Sequence, residues 1–451
     1  MSVVVRIPPS PTGRLHIGTA RTALFNYLFA RHNGGAIVFR SEDTDRTRSK
    51  KEYEDEIIAG LTWLGISWDS FSRQSEHASR HRELLEKLVG EGKAYVSAEP
   101  AKDDPSKTVE VVRLKNPGKS VTFTDLIRGD ITFDMAELGD FVIARSLDDA
   151  LYHFAVVVDD MDALVTHIIR GEDHISNTPR QILIQEALGA ARPEYAHLPL
   201  ILDAKRAKLS KRSGTATSVM DYKDDGFMPE ALVNYLALLG WSPGTPQEDF
   251  SLADLVEAFS LDGIQKSGAA WSREKLLSVN QRWMRKLPGD EFLARLTSLP
   301  ALSVGMTQKD TLVKSVPLLK ERAQTFAEAR ELLSGELACL FEAPALDPAK
   351  ILAKEPADRS GMTVAALHGL LEPLSGLPDD ISAETARSVV MPLADAEEAK
   401  GKGGRGAVLW PLRYALSGQE RSPDPFTLIA LIGKQESVSR IGKALSLLES
   451  R

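Results

Sequence analysis

Between residues 7 and 21 the chain reads Ile7-Pro8-Pro9-Ser10-Pro11-Thr12-Gly13-Arg14-Leu15-His16-Ile17-Gly18-Thr19-Ala20-Arg21. An apolar run at residues 3–5 predicts a buried strand before this stretch, and the apolar spacing over residues 21–32 predicts a helix after it. A strand, a Pro/Gly turn and a helix start can form a phosphate site, because free backbone N–H groups and the positive end of the helix dipole face the same anion. His16 lies where the turn meets the helix and can donate to a phosphate oxygen. A plain βα turn with an incidental histidine fits the same pattern, so other parts of the sequence are needed to distinguish these two interpretations.

A second candidate site follows the next predicted strand. Residues 36–40 are mostly apolar and end in the polar sequence Ser41-Glu42-Asp43-Thr44-Asp45-Arg46. Ligand-binding side chains gather at the carboxyl ends of parallel strands, so Glu42 is placed to bind a substrate ammonium group. Asp43 and Asp45 fit either a pair of Mg²⁺ ligands or a helix N-cap with local salt bridges.

The pattern changes at residue 96 and returns at residue 141. Short alternating runs between residues 96 and 140 predict an α+β insertion. Apolar runs at residues 155–158, 165–169 and 198–202 predict further buried strands, and the spacing beyond residue 220 is helical. We therefore predict an α/β fold, in which a Rossmann-like parallel-sheet catalytic domain is interrupted by an α+β insertion and followed by all-α C-terminal domains. The predicted domains are residues 1–95, 96–140, 141–204, 205–290 and 291–451.

Length and composition describe an ordinary globular protein. The chain has 451 residues, of which 43% are hydrophobic and 26% charged, and this length is typical of about two to four domains. We expect no leader peptide, and no apolar run approaches the roughly 18 residues of a membrane span. The single cysteine, Cys339, excludes an intrachain disulfide framework and a zinc site built on several cysteines. A cytoplasmic protein without membrane association is expected.

The charge is unevenly distributed. A formal net charge of −8 gives no global support for nucleic-acid binding. Five cations nevertheless fall between residues 205 and 212, and eight basic residues against four acidic ones follow residue 400. A local basic surface can follow phosphates, although a solvated helical face explains any one of these charges as well.

A basic loop follows the last predicted strand. It reads Lys205-Arg206-Ala207-Lys208-Leu209-Ser210-Lys211-Arg212-Ser213-Gly214. Two lysines three residues apart, Lys208 and Lys211, lie in this loop with a serine between them and a glycine after them. A mobile loop with such cations can close over phosphates. A basic loop alone is weak evidence, but this one follows a domain that opens with a candidate phosphate turn.

Four motifs in order resemble the bacterial-type glutamyl-tRNA synthetases, which are class I aminoacyl-tRNA synthetases. They are residues 9–18, 42–46, 170–174 and 208–212, and the resemblance extends over essentially the whole chain, including residues 232–241 and 411–418. It implies a glutamate–tRNA ligase. By the same resemblance, residues 96–140 are the insertion that binds the tRNA acceptor stem, residues 205–290 hold the basic loop and a helical stem-contact domain, and residues 291–451 are a helical anticodon-binding domain. A ligase of this kind uses ATP with Mg²⁺ to convert L-glutamate into glutamyl-adenylate once tRNA is bound, and then charges the 3′-terminal ribose of tRNA(Glu). The sequence leaves open whether tRNA(Gln) is charged as well.

The resemblance also assigns site residues by position. His16 and Lys211 are the catalytic residues, and the ATP contacts are Ser10, Thr12, His16, Gly18, Asp173, Lys208 and Lys211. The glutamate contacts are Arg6, Ser10, Glu42, Tyr152 and Arg170. This set is chemically coherent, because a guanidinium can bind a carboxylate in bidentate fashion and Glu42 can pair with the α-ammonium group. Arg405 and Arg413 are candidate tRNA contacts.

Some positions differ from the patterns of relatives. Thr19 stands where the superfamily has a second histidine, but glutamyl enzymes resemble this chain in having a small residue there. Val156 stands where some relatives carry asparagine. Residues 94–98 contain no cysteine where many relatives bind zinc, and the insertion is short, so we predict no metal site and no zinc. The resemblance implies a monomer.

Other functions remain as alternatives. A glutaminyl-tRNA synthetase would carry a Glu-Pro-Asn-Gly turn at residues 10–13 and a β-barrel anticodon region. A paralogue that modifies a tRNA base would end after the catalytic domain, and another adenylating enzyme would not need the long helical tail. A non-catalytic tRNA-binding paralogue would not need His16, Glu42, Arg170 and Lys211 intact.

Overall fold

The structure is a computed structural model, and it describes residues 2–100, 104, 106, 108–209, 218–298, 309–355, 357, 361–400 and 404–450. The chain divides into two compact units, Met1–Asn280 and Gln281–Arg451. Within the described ranges, no helix is both long enough and apolar enough to cross a membrane. The domain boundaries expected at residues 95, 140, 204 and 290 stay predictions.

The first unit contains parallel and antiparallel sheets with helices between them. Its strands are β1 (Val4–Ile7), β2 (Ala36–Ser41), β3 (Ser70–Arg73), β4 (Ala94–Pro100), β5 (Thr108–Leu114), β6 (Ser120–Asp125), β7 (Gly129–Asp134), β8 (Phe141–Ser146), β9 (Asp149–Ala150), β10 (His167–Gly171), β11 (Glu194–Leu198), β12 (Ile201–Leu202) and β13 (Ala269–Ala270). Its helices are α1 (Ile17–His32), α2 (Lys51–Trp63), α3 (Ala78–Gly90), α4 (Tyr152–Asp162), α5 (Thr178–Leu188), α6 (Val219–Asp224), α7 (Pro229–Leu238) and α8 (Leu252–Ala258), and α9 (Arg273–Lys286) begins in this unit.

Parallel strands bring four chain segments to one edge. β1, β2 and β3 pair in parallel in that order, and β10 pairs in parallel with β11. The start of β10 lies beside the start of β1, because Thr166 N donates to Val4 O over 2.9 Å and Val4 N donates to Thr166 Oγ1 over 2.9 Å. The carboxyl ends of β1, β2, β10 and β11 therefore face the same side, where ligands bind in α/β folds.

The insertion is built from antiparallel strands. β4, β5, β8 and β9 form one sheet, and β6 and β7 form a hairpin. The end of β6 pairs with β11 at Asp125 and Tyr195. The hairpin is thereby joined to the parallel strands β10 and β11 by backbone pairing.

The strand predicted at residues 155–158 is wrong. These residues lie in helix α4, whose residues 154–160 are all buried. A four-residue apolar run cannot distinguish a buried strand from a helix that is covered on all sides, and Val156 and Val158 here pack into a core shared with α3 and α5. The strand predicted at residues 198–202 is also wrong in its bounds, because β11 ends at Leu198, and Pro199, which has no N–H to donate, lies before β12.

The second unit is helical. It contains the end of α9 followed by α10 (Gly289–Ser298), α11 (Lys309–Arg322), α12 (Phe326–Ser334), α13 (Pro348–Ile351), α14 (Met362–Ser375), α15 (Ala383–Ala399), α16 (Gly406–Ser417), α17 (Pro425–Ile432) and α18 (Lys434–Glu449). Buried leucines such as Leu367 and Leu412 form its core. Among the residues described in this unit no strand occurs. The predicted α/β fold with a helical C-terminal region is confirmed.

Candidate active site

His16 caps the first helix. Its Nδ1 accepts a hydrogen bond from Gly18 N over 3.0 Å, which satisfies one of the N–H groups at the start of α1. In the neutral imidazole the proton is then on Nε2, so this nitrogen is the donor. A Cβ atom on Gly18 would lie 3.2 Å from His16 Nδ1, so a larger residue here would crowd the capping imidazole.

A cavity of about 490 Å³ lies in front of this helix start. Four of the predicted ATP contacts line it, namely His16, Gly18, Asp173 and Lys208. Ser10 lines a neighbouring cavity instead, and Thr12 lines a third one of about 1030 Å³. Lys211 lies outside the described residues. The structure thus brings part of the predicted ATP set together.

Lys208 is held by an ion pair at this cavity. Its Nζ lies 2.7 Å from Asp173 Oδ2. Burial raises the pKa of Asp173, but the hydrogen bond from Lys208 and the nearby His174 outweigh burial and hold that pKa below its ordinary value. Lys208 and Asp173 therefore place a charged pair beside the space that a nucleotide would occupy.

The five predicted glutamate contacts meet in one place. A cavity of about 300 Å³ is lined by Arg6, Ser10, Glu42, Tyr152 and Arg170. They come from the ends of β1, β2 and β10 and from the first turn of α4, so the shared sheet edge brings them together. His174 also lines this cavity, and burial together with Arg170 lowers its pKa to about 4, so its ring is neutral at physiological pH.

Buried ion pairs support this cavity from behind. Arg40 donates from Nη1 to Asp160 Oδ1 over 2.7 Å and from Nη2 to Glu42 Oε1 over 3.2 Å. Arg6 Nε lies 3.5 Å from Asp160 Oδ2, and Arg40 Nε lies 3.6 Å from Asp159 Oδ2. Sequence reasoning missed Arg40, Asp159 and Asp160 as a group, because the strand predicted at residues 155–158 would put the two aspartates just after a strand rather than on a buried helix. Charged residues next to an apolar run were the available signal.

Asp43 and Asp45 do not form a preorganised magnesium site. Asp43 accepts hydrogen bonds from the N–H and hydroxyl groups of Ser75 over 2.8 and 2.6 Å. Asp45 accepts from Thr47 and Arg48, and hydrogen bonds from these two residues lower its pKa to about 2. Both carboxylates already have protein donors. The local salt bridge is therefore favoured, although α2 takes its N-cap from Lys50 rather than from either aspartate.

One other cluster has the composition of a metal site. In the described part of the chain, His77, His81 and Asp159 are the group of three or more potential ligands close enough to share an ion. His77 Nδ1 and His81 Nε2, however, lie at hydrogen-bonding distances of 2.9 and 2.7 Å from the same oxygen, Asp159 Oδ1. The positively charged Arg40 guanidinium, whose Nε lies 3.6 Å from Asp159 Oδ2, would also repel a metal ion bound at this cluster. The absence of zinc stays a prediction.

The two candidate tRNA contacts of the helical unit differ in their surroundings. Arg405 Nε lies 2.7 Å from Asp395 Oδ1 and 3.0 Å from Glu398 Oε2, so its charge is already matched. The Arg413 guanidinium lies 5.0 Å from the centre of the Trp410 ring and donates to Glu420 O over 2.8 Å. A cation beside an aromatic ring suits both phosphates and bases, so Arg413 is the stronger candidate.

Comparison with known proteins places the chain among class I aminoacyl-tRNA synthetases. Residues 2–103 and 99–278 match the family of tRNA synthetases class I (E and Q), catalytic domain, and residues 283–445 match an anticodon binding domain. The chain therefore belongs to the glutamyl and glutaminyl family of class I tRNA synthetases, and the resemblance seen in the sequence is confirmed. Members of the class use ATP.

Individual relatives match over their full length. The chain is 40% identical to the glutamate–tRNA ligase of Oleidesulfovibrio alaskensis, with 99% of both chains covered, and 39% identical to that of Heliobacterium modesticaldum, with 99% of this chain and 97% of that one covered. A crystal structure of a glutamate tRNA ligase from Elizabethkingia meningosepticum, in complex with its amino acid, superposes with a TM-score of 0.84 at 30% identity, covering 99% of this chain and 100% of that one.

Proposed function

We propose that this chain is a glutamate–tRNA ligase that activates L-glutamate with ATP and transfers it to tRNA(Glu). The observation that carries the proposal is the junction of the two cavities. The 490 Å³ and 300 Å³ cavities share Arg6, His16, Arg170 and His174 as lining residues. An amino acid in the smaller cavity and a nucleotide in the larger one would therefore meet at these side chains.

The smaller cavity suits a dicarboxylic amino acid. Arg6 Nε faces Asp160 Oδ2 at 3.5 Å and Nη1 donates to Ile169 O over 3.2 Å, whereas Nη2 forms no hydrogen bond within the described residues and remains as a donor for a carboxylate. Arg170 keeps one further N–H group, on Nη1, beside the four that it gives to protein acceptors. Glu42 supplies the negative charge for the α-ammonium group. Guanidinium groups for carboxylates and a carboxylate for the ammonium group favour glutamate over glutamine.

The first chemical step joins the two substrates. An oxygen of the α-carboxylate attacks the α-phosphorus of ATP, a new O–P bond forms, and the bond to diphosphate breaks. Negative charge spreads over the phosphate oxygens, and His16 Nε2 and the N–H groups at the start of α1 are the donors that meet it. Magnesium enters as part of the nucleotide substrate, since Asp43 and Asp45 do not supply a site for it. Lys211 is proposed to join Lys208 at the phosphates.

In the second step the terminal ribose hydroxyl of tRNA attacks the glutamyl carbonyl, loses its proton and displaces AMP. The helical unit is proposed to bind the anticodon region, with Arg413 and Trp410 as contacts. We also propose a monomer that acts in the cytoplasm, in line with the resemblance and with the single, buried thiol of Cys339.

Charging of tRNA with labelled glutamate tests this proposal. The wild-type chain should form acid-precipitable glutamyl-tRNA from ATP, glutamate and tRNA(Glu), whereas the Arg170→Ala variant should lose charging at ordinary glutamate concentrations. Binding of tRNA without charging by the wild-type chain would support the non-catalytic alternative instead.

A further inference from the structure

Three buried side chains form a continuous chain of hydrogen bonds behind the glutamate pocket. Asp125 at the end of β6 binds His197 in β11, with Oδ2 and Nδ1 2.6 Å apart. His197 in turn binds Arg170 at the end of β10, where Nε donates to His197 Nε2 over 3.1 Å. The side chains are 1%, 0% and 5% exposed, respectively. Neither Asp125 nor His197 lines either of the two site cavities, and the family motifs assign no role to either residue.

The direction of each hydrogen bond is fixed by its neighbours. Asp125 accepts from the backbone N–H groups of Ile127, Arg128 and His197 over 3.0, 3.0 and 3.1 Å. Burial raises the pKa of Asp125, but the hydrogen bond to His197 and those backbone donors outweigh it and keep the pKa below its ordinary value. Asp125 is thus an ionised acceptor, and His197 Nδ1 must carry a proton.

The other ring nitrogen must be an acceptor. The Nε of arginine can only donate, so His197 Nε2 has to present its lone pair to Arg170. Burial lowers the pKa of His197, which favours the neutral ring that this arrangement needs. Asp125 therefore selects the one tautomer of His197 that can accept from Arg170, as a carboxylate does behind a metal-bound histidine.

Arg170 is held on its other sides as well. Nη1 donates to Gln181 Oε1 over 2.8 Å, and Nη2 donates to Thr178 Oγ1 over 2.8 Å and to His174 O over 3.4 Å. Four of its five N–H groups are thus directed at acceptors inside the protein. One hydrogen on Nη1 remains, on a guanidinium that lines the 300 Å³ cavity. If the Nε contact were lost, a buried N–H would have no acceptor and the guanidinium would turn to find one.

We propose that Asp125 and His197 are positioning residues for glutamate, which fix the orientation of Arg170 so that its remaining N–H group meets the substrate carboxylate. The inference rests on the proposed function of Arg170. It also gives the insertion a part in amino-acid binding, because Asp125 belongs to the β6–β7 hairpin. That hairpin lies in the segment that the resemblance assigns to the tRNA acceptor stem.

Two isosteric substitutions of His197 each keep one of its two hydrogen bonds and remove the other. In His197→Asn the amide occupies the place of Nδ1, so it can still donate to Asp125 but offers Arg170 nothing. In His197→Gln the longer side chain reaches the place of Nε2, where its carbonyl can still accept from Arg170. We expect His197→Asn to raise the KM for glutamate about tenfold or more, with the KM for ATP changed less than about twofold. His197→Gln should stay within about threefold of wild type.

Asp125→Asn is a second route to the same result. An amide that presents its NH₂ to His197 makes Nδ1 an acceptor and moves the ring proton to Nε2. The Nε2–H would then face the Nε–H of Arg170, and two donors cannot form a hydrogen bond with each other. A glutamate-specific rise in KM is expected again. Asn234→Ala is the matched control, since Asn234 is fully buried in the same unit and binds Phe250 N and Glu248 O, away from both cavities. It should lower Tm while leaving the KM for glutamate unchanged.

The outcomes distinguish this inference from the proposed function. A wild-type chain without charging activity would overturn the proposed function itself. An active wild type combined with folded His197→Asn and Asp125→Asn variants of unchanged glutamate KM would overturn only the positioning role. Equal rises in the KM values for glutamate and ATP, or loss of fold in both variants by circular dichroism, would mark the pair as a support of the sheet and also overturn it.

Discussion

Arg40 and Asp160 form a buried ion pair in which Nη1 lies 2.7 Å from Oδ1. Burial alone would lower the pKa of Arg40, but Asp160, Glu42 and Asp159 raise it above its ordinary value. The same aspartate faces Arg6 at 3.5 Å. Asp160 thus compensates two guanidinium groups, one of which, Arg6, lines the proposed glutamate pocket.

Asp160→Asn should therefore destabilise the chain strongly. Arg40 would keep Glu42 and Asp159 as partners, but Arg6 would lose the carboxylate that faces it. Removing one partner of a buried ion pair costs about 3 kcal/mol or more. Urea unfolding measures the change in the free energy of unfolding. Lys51→Ala is the control, because its ion pair with Asp55 is 75% and 59% exposed and should be worth less than about 1 kcal/mol. If Asp160→Asn lowered the free energy of unfolding by no more than Lys51→Ala does, the Arg40–Asp160 ion pair would not be a major contributor to stability.

His16→Asn separates the two roles of His16. Asparagine is a good N-cap and can accept from Gly18 N, but it lacks a donor at the place of Nε2. We expect Tm to change little and kcat for tRNA charging to fall by roughly 100-fold, the usual effect of losing one donor to a transition-state oxyanion. Charging at the wild-type rate would rule out His16 as a phosphate donor.

Glu42 should make glutamate binding sensitive to acid. Burial is the largest influence on its carboxyl and raises its pKa above the ordinary value, although Arg40 opposes this. Because only the ionised form can pair with the α-ammonium group, the KM for glutamate should rise as the pH falls through that raised pKa. In Glu42→Gln the KM should be higher at neutral pH and should lack this pH dependence. Parallel pH profiles of the two proteins, measured from about pH 5 to about pH 8, would argue against the pairing.

The arginines of the helical unit form a natural pair of variants. Arg413→Ala should raise the KM for tRNA about threefold to tenfold, because it removes a cation that lies against the Trp410 ring. Arg405→Ala should have a smaller effect, since Asp395 and Glu398 already balance that charge. The KM for glutamate should be unchanged in both variants. A larger rise in the KM for tRNA in Arg405→Ala than in Arg413→Ala would make Arg405, not Arg413, the stronger candidate for the tRNA contact.

The residues that the resemblance assigns to glutamate binding line one cavity, and their positions in the sequence explain why, although their role in binding stays a prediction. The Pro/Gly turn and helix start around His16 are local features, and Arg6, Glu42 and Arg170 each follow an apolar run at the end of a parallel strand. Topology alone then brings them together. For the same reason the five predicted glutamate contacts line one cavity, whereas the predicted ATP contacts are divided among three cavities or, for Lys211, lie outside the described residues.

The support behind the pocket depends on long-range pairing and could not be predicted. Asp159 and Asp160 lie on a helix that resembles a strand in its four-residue apolar run. Asp125 reaches His197 only because β6 pairs with β11, a register that no local sequence signal defines. Residues that act by positioning another side chain carry no motif by which a single sequence would reveal them.

ATP–diphosphate exchange measures the central claim most directly. The account predicts exchange that depends on glutamate, that glutamine does not support, and that requires tRNA, as the resemblance to glutamyl-tRNA synthetases implies. Exchange that depends on another amino acid, or the absence of exchange with any amino acid while tRNA still binds, would contradict the assignment of this site to glutamate activation.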